Sequence, residues 1–232
     1  MTLFHYLRDP GADGVGVAFT SAELDLSDTQ AAAERAASFA RLTHAVGAAV
    51  AVVTQVHGNR VLEVTATGPG LIDLTAERAD ALITARRGVA CAVRVADCIP
   101  VLFADPRASW VGAAHAGRAG VLNGVLGATV DALHGRGAAD LRAWIGPHIC
   151  GDCYEVPAEL AVAFADATRV APTRTRWGTT GIDIGAAARR QLAAVGVRTS
   201  SHEACTMHDA GLRSHRRSAA AAGRLAGLVW LD

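Results

Sequence analysis

The chain has 232 residues, of which 51% are apolar, and its 22 basic and 22 acidic residues balance to a formal charge of zero. The length allows a sizeable core, and the balanced charge lacks the basic excess typical of nucleic-acid-binding proteins. No apolar stretch approaches the ~20 residues that span a bilayer, and the first residues are too polar for a signal peptide. We therefore expect one cytoplasmic domain over residues 1–232, a monomer or small homo-oligomer that binds neither nucleic acid nor membrane.

The cysteine and lysine contents restrict the chemistry further. Five cysteines make an odd number, which argues against a disulfide framework and for reduced thiols. The sequence contains no lysine, so its cationic side chains apart from histidine are all arginines. This excludes Schiff-base chemistry on lysine and a Walker-type phosphate loop.

In chain order, the predicted elements alternate between helices and short apolar strands. Apolar residues at helical spacing predict helices over 28–46, 120–134, 157–168 and 184–195. Short apolar runs bounded by turn residues predict strands at 48–56, 60–64, 80–84, 89–95, 100–104, 110–114, 142–145 and 225–231. We expect the first two strands to form a hairpin through His57-Gly58-Asn59. The predicted fold class is α/β, a single layered domain with a mixed, mostly buried β-sheet core flanked by helices.

Three segments place a metal-capable or nucleophilic side chain at the end of an apolar strand. They are Thr54-Gln55-Val56-His57-Gly58, Ala96-Asp97-Cys98-Ile99-Pro100 and Ala113-Ala114-His115-Ala116-Gly117. A strand end followed by glycine or proline directs its last side chain into a cleft. Two histidines and a cysteine can form a three-ligand zinc site with an open fourth position. The same trio can instead form a cysteine nucleophile with a histidine base, and the residues alone leave both readings open.

Polar neighbours of these residues are further candidates. Gln55 lies on the same strand face as His57. Asp97 precedes Cys98, and an adjacent carboxylate raises the pKa of a thiol unless a cation or metal offsets it. A functional Cys98 therefore needs a histidine or zinc close by.

Arginines offer candidate anion contacts at two places. Arg118 follows a glycine-rich strand-to-helix turn, which presents backbone N–H groups to an anion. The pair Arg216 and Arg217 belongs either to a solvated turn or to an anion site.

The segment Cys150-Gly151-Asp152-Cys153 has the spacing of a redox motif or of half a zinc site. We expect no second cysteine or histidine pair at zinc-finger spacing to accompany it, which argues against a structural zinc ribbon. Gly146-Pro147 intervenes where a thioredoxin-like motif would open a helix after its strand. We therefore expect one or both cysteines to line the pocket.

Together, these motifs resemble the bacterial laccase-domain, or multicopper polyphenol oxidase, family, also called the YfiH family. The matching segments run in family order from about residue 50 onward: Thr54–Gly58, Ala79–Leu82, Val95–Pro100, Ala114–Gly117, Ile145–Pro147, Cys153–Val156, Cys205-Thr206, Ser214–Arg217 and Gly223-Arg224. The family motif usually continues Gly-Trp-Arg-Gly after the second histidine, whereas this chain has Gly117-Arg118-Ala119-Gly120. The resemblance implies a layered α/β fold with the site at strand ends.

The resemblance also implies an activity and a set of site residues. The activity is that of a zinc-dependent purine nucleoside phosphorylase with adenosine deaminase activity, which takes phosphate and adenosine, inosine or methylthioadenosine. His57, Cys98 and His115 are then the catalytic zinc ligands, with copper as an alternative metal in vitro. We expect Asp97 to move protons. The expected substrate- and phosphate-binding residues are Gln55, Arg118, Cys153, Arg216 and Arg217.

Three rival functions come from other classes. The first is a cysteine hydrolase acting on amide or cell-wall precursor substrates, with Cys98 as nucleophile and His57 or His115 as base. The second is a true laccase, but the nine histidines include no His-x-His pair of the kind that builds a trinuclear copper cluster. The third is a binding module without catalysis.

Overall fold

The computed structural model describes residues 2–105, 107, 110–202 and 204–232, and only the backbone of Ala220. The strands are β1 (Phe4–Arg8), β2 (Val15–Thr20), β3 (Ala49–Thr54), β4 (Val61–Glu63), β5 (Leu71–Arg78), β6 (Ala81–Thr84), β7 (Val89–Val95), β8 (Ile99–Asp105), β9 (Trp110–Ala116), β10 (Arg142–Ile145), β11 (Thr173–Arg174), β12 (Thr180–Gly181), β13 (Arg198–Ser201) and β14 (Leu225–Leu231). The helices are α1 (Ala32–Val46), α2 (Arg118–Leu122), α3 (Val125–His134), α4 (Ala158–Thr168), α5 (Ile184–Ala194) and α6 (His215–Ser218), with a 3₁₀ turn at Ala219–Ala221.

Two six-stranded mixed sheets form the centre of the molecule. The first has the strand order β1-β2-β14-β7-β3-β5 and the second β13-β10-β8-β9-β6-β4. Strands β11 and β12 pair separately as a small antiparallel ribbon. The predicted α/β class with a mixed, mostly buried sheet core is confirmed, and its division into two sheets is a feature that the sequence did not indicate.

The sheets pack face to face, and helices cover their outer faces. Phe19 and Leu102 belong to the core between the sheets. Phe39 of α1 packs on the outer face of the first sheet, while Leu126 of α3 and Leu192 of α5 belong to the core on the outer face of the second. Because both faces are covered, β7, β8 and β14 are buried along their whole length. This explains the continuous apolar runs, which are typical of strands covered on both sides.

The predicted hairpin between the first two strands is wrong. β3 pairs in parallel with β5 and β7 in the first sheet, whereas β4 pairs in parallel with β6 in the second. The turn does adopt the left-handed backbone, with a φ of 61° at His57. However, the N–H groups of Val56, His57 and Gly58 bind the carboxylate of Asp80. The chain therefore crosses from one sheet to the other at this turn.

Two helix predictions need correction. The helix predicted over 28–46 begins at Ala32, and Asp28, which precedes it, pairs with Arg94. The helix predicted over 120–134 is two helices, separated at Gly124, which has a φ of 79°. Within the part of the chain that the structure describes, none of the helices is long and apolar enough to cross a bilayer.

Gly16 provides a test of the packing in the first sheet. It pairs with Trp230 of β14, and a Cβ at Gly16 would lie 2.0 Å from the tryptophan ring. We expect Gly16→Ala to lower the free energy of unfolding by about 1–3 kcal/mol, since the ring must move in a close-packed core. Urea denaturation measures this change. The control is Gly127→Ala in α3, where a Cβ meets nothing within 4 Å.

We expect Gly127→Ala to keep or raise stability, because alanine favours the helix by about 0.8–1 kcal/mol over glycine. A Gly16→Ala protein as stable as the wild type would contradict the packing described for this sheet.

Candidate metal centre

The trio predicted from the sequence meets where the chain passes between the two sheets. His57 lies in the turn after β3, Cys98 in the link between β7 and β8, and His115 in β9. His57 Nε2 lies 3.7 Å from Cys98 Sγ, and the two histidine rings meet edge to face with centroids 4.7 Å apart. One ligand atom from each residue lies within 4.8 Å of the other two. Two imidazole nitrogens and one thiolate at this spacing fit a catalytic type of zinc site.

Asp80 connects both histidines and is a site residue that sequence reasoning missed. Its side chain is fully buried immediately before β6. Its Oδ1 accepts hydrogen bonds from His115 Nδ1 at 2.9 Å and from the His57 backbone N–H at 2.8 Å. Because the carboxylate holds Nδ1 of His115, Nε2 is the nitrogen left for a metal. The available signal was a carboxylate at the entry of an apolar strand, since a buried charge needs partners.

These contacts shift the pKa values of the site residues. Burial raises the pKa of the Asp80 carboxyl, but hydrogen bonds from His115, Gly58 and His57 lower it by a larger amount, so the pKa lies below its ordinary value. Burial also raises the pKa of the Cys98 thiol, but the neighbouring His115 and His57 outweigh this and lower it to about 6. Burial opposes a charge on His115, yet Cys98 and Asp80 raise its pKa to about 9. Both shifts favour a thiolate on Cys98 and an imidazolium on His115.

Gly117 explains why the second histidine motif contains glycine. A Cβ at this position would lie 2.7 Å from Cys98 Sγ and 2.9 Å from His57 Cδ2. Any side chain here would therefore separate the ligand atoms.

Asp97 shapes the turn that presents Cys98. It has a φ of 81°, in the left-handed region that few residues other than glycine adopt. Its Oδ1 accepts from the Thr206 hydroxyl and its Oδ2 from the Arg216 backbone N–H, each at 2.6 Å. Asp97 thus binds the C-terminal segment to the site, and its role in proton transfer stays a prediction.

A cleft of about 560 Å³ opens onto the trio, within the range of ~300–1,000 Å³ usual for small-molecule sites. Its wall includes Gln55, Asp97, Tyr154, His215, Arg216 and Arg224. The Arg216 guanidinium lies 5.2 Å from the centre of the half-buried Tyr154 ring. The cleft therefore combines an aromatic ring and cations with the metal-type ligands.

Three of the predicted substrate contacts, Gln55, Arg118 and Arg216, lie on or beside this cleft. The Gln55 amide lines it but also bonds the backbone N–H and carbonyl of Arg94, at 2.8 Å each, and so joins β3 to β7. Arg118 interacts with the side chain of Tyr154. Burial and the nearby Cys98 raise the pKa of the Tyr154 hydroxyl, against the opposing effect of Arg118 and Arg216.

Arg217, which was also predicted to bind substrate, does not line the cleft. Its guanidinium donates to the carbonyls of Thr206, Met207 and Asp209. The geometry favours a role in holding the segment after Thr206.

Cys153 also lies apart from the cleft, in a second cluster with Cys150, Cys205 and His208. The expectation that Cys150 or Cys153 lines the pocket is therefore wrong. Cys205-Thr206-Met207-His208 supplies a mixed pair, which a search for cysteine pairs and histidine pairs misses. Its Cys-x-x-His spacing was visible in the sequence, but long-range folding is needed to join the two halves.

The fold and the site together define a class: an α/β protein with a carboxylate-supported His–Cys–His metal-type centre in a small-molecule-sized cleft. The chain belongs to the family described as multi-copper polyphenol oxidoreductase laccase, which it matches over residues 11–232. It is 47% identical over 184 residues to a Streptomyces griseus protein named purine nucleoside phosphorylase ORF3, covering 78% of this chain and 73% of that protein.

Two further proteins are similar to this chain, one in sequence and one in fold. A Streptomyces coelicolor protein named purine nucleoside phosphorylase SCO2081 is 44% identical over 188 residues, covering 80% of this chain and 76% of that protein. The crystal structure of Neisseria meningitidis protein NMB0706 matches with a TM-score of 0.81 at 28% identity and covers 100% of both chains.

The role of Asp80 can be tested by Asp80→Asn. We expect zinc affinity to fall roughly 10–100-fold, the usual effect of removing a partner that orients a metal-binding histidine. Competition with a chromophoric chelator measures it. Asp131→Asn, at an exposed position in α3, is the matched control and keeps the wild-type affinity. Equal zinc affinity in the two variants would show that Asp80 does not support the ligands.

Proposed function

We propose that the protein is a zinc-dependent purine nucleoside phosphorylase with adenosine deaminase activity. The observation that carries this proposal is the cleft, which joins the His57, Cys98 and His115 ligand atoms to an aromatic ring and arginines. The names of the Streptomyces relatives support purine nucleosides and phosphate as substrates.

The trio and its support have separate tasks. His57, Cys98 and His115 would hold the metal. Zinc bound there supplies Lewis acidity for activating water and polarising a substrate oxygen. Asp80 holds the His115 tautomer that presents Nε2. Gly117 leaves the space in which the ligand atoms converge.

The cleft wall would bind and orient the substrate. Tyr154 offers a half-buried aromatic surface for a purine base. One N–H of the Arg216 guanidinium donates to the carbonyl of Glu155, at 2.9 Å. Its other N–H groups, together with those of Arg224, are suited to binding phosphate. In phosphorolysis, a phosphate oxygen bonds to ribose C1′ while the glycosidic bond breaks and the base leaves with its electron pair. We assign the proton transfers to Asp97, which lines the cleft next to Cys98.

The test is turnover of adenosine by zinc-loaded protein, with and without phosphate, followed by chromatography of the products. We expect adenine that requires phosphate, and inosine in either condition. Cys98→Ala should lose activity by more than the ~100-fold limit typical of a supporting residue, because it removes a direct ligand. Cys91→Ala, a buried thiol of β7 outside the cleft, is the control and stays active. No product in either condition would contradict the proposal.

A second candidate is a cysteine hydrolase acting on amide or cell-wall precursor substrates. The 3.7 Å contact between Cys98 Sγ and His57 Nε2, together with the lowered pKa of Cys98, favours it. It predicts that chelated, metal-free protein keeps full hydrolytic activity and that iodoacetamide abolishes it. The zinc proposal predicts the opposite for chelation: activity disappears and returns when zinc is added back.

A further inference from the structure

A second group of metal-type side chains lies outside the cleft. It consists of Cys150, Cys153, Cys205 and His208, and one ligand atom from each lies within 4.8 Å of all the others. The proposed nucleoside chemistry uses none of the four. Three thiols and an imidazole are the donor set that zinc prefers in structural sites.

Both halves of this cluster have the same local shape. The Cys153 N–H donates to the carbonyl of Cys150 at 2.9 Å, and the His208 N–H donates to the carbonyl of Cys205 at 3.0 Å. Each half is therefore a tight turn whose first and fourth residues present their side chains together. Cys-x-x-Cys and Cys-x-x-His are the ligand spacings of closed zinc sites.

Backbone contacts hold the two turns against each other. His148 and Cys205 form a parallel β-bridge. The Cys150 N–H points at Cys205 Sγ at 3.5 Å, and Cys153 Sγ lies 2.8 Å from His208 Nε2. All of the cysteines in the chain are free thiols in this structure. The fold thus brings the four donors together without a disulfide.

We propose that Cys150, Cys153, Cys205 and His208 form a second, structural zinc site. Zn–S bonds of about 2.3 Å in a tetrahedron place neighbouring sulfur atoms roughly 3.8 Å apart. The four donor atoms lie within 4.8 Å of one another, so movements of about 1 Å would allow them to bind one ion. Four protein ligands complete the tetrahedron and leave no position for water or substrate. The site is therefore structural, unlike the three-ligand site of the cleft.

Two residues of the second site are chain neighbours of residues that line or support the cleft. Cys153 precedes Tyr154, which lines the cleft. Cys205 precedes Thr206, whose hydroxyl bonds Asp97 next to Cys98. An ion that joins the two turns would hold the Tyr154 wall and the Asp97 turn in a fixed relation. Its loss should lower the melting temperature of the protein.

The experiment counts zinc per chain by elemental analysis, after equilibration with zinc and removal of the free metal. We expect two zinc ions in the wild type and in Cys91→Ala, and one each in Cys98→Ala and Cys205→Ala. Because Cys98→Ala removes only the cleft site, failure of the proposed function and failure of the second site give different counts. A single zinc in the wild type that is lost in Cys98→Ala, or an unchanged count in Cys205→Ala, would overturn the proposal, whereas a single zinc that remains in Cys98→Ala would contradict only the cleft site. So would an intact mass two hydrogens lighter than the reduced chain, which indicates a disulfide.

Substitution of His208 keeps the test valid if Cys205→Ala fails to fold. His208 is exposed, so its replacement does not disturb the core. We expect His208→Ala to bind the second zinc at least tenfold more weakly, and His208→Cys to retain it, because thiolate replaces imidazole in the same shell. Chelator competition measures both. Wild-type affinity in His208→Ala would overturn the assignment.

Discussion

The burial of the Asp80 carboxylate is the constraint on which the rest of the site depends. An isolated charge cannot be removed from water without a large free-energy penalty, so a buried carboxylate must be surrounded by donors. Here the donors are the backbone N–H groups of Val56, His57 and Gly58 and the ring N–H of His115. Satisfying this one carboxylate brings the turn after β3 against β9. Two of the metal-type ligands therefore meet because a charge needs partners.

The third ligand reaches the site through the connection between the sheets. The chain leaves β7 in the first sheet and enters β8 in the second, and Cys98 lies in that short link. Asp97 accepts the left-handed backbone that the link requires. A strained backbone conformation of this kind persists where the surrounding contacts hold it in place. Here the hydrogen bonds from Thr206 and Arg216 to the Asp97 carboxylate hold it.

The two ligand clusters differ in what they allow chemically. The cleft cluster has three donors and faces a cavity of about 560 Å³, so substrate can reach it. The second cluster has four donors within two hydrogen-bonded turns. Thr206 connects them, since it follows Cys205 in the chain and bonds Asp97 beside Cys98. The first arrangement fits the proposed reaction, and the second fits the proposed structural ion.

The sequence by itself determined the local features. It predicted β7, β10 and β14 with the bounds that the structure has, because runs of apolar residues report burial directly. It also predicted that His57, Cys98 and His115 lie at strand ends. It did not reveal the two sheets, the crossing at His57, the role of Asp80 or the joining of Cys150 and Cys153 to Cys205 and His208. Only the tertiary structure decided these, because a hydrophobic pattern shows that a residue is buried but not which distant strand, donor or ligand meets it there.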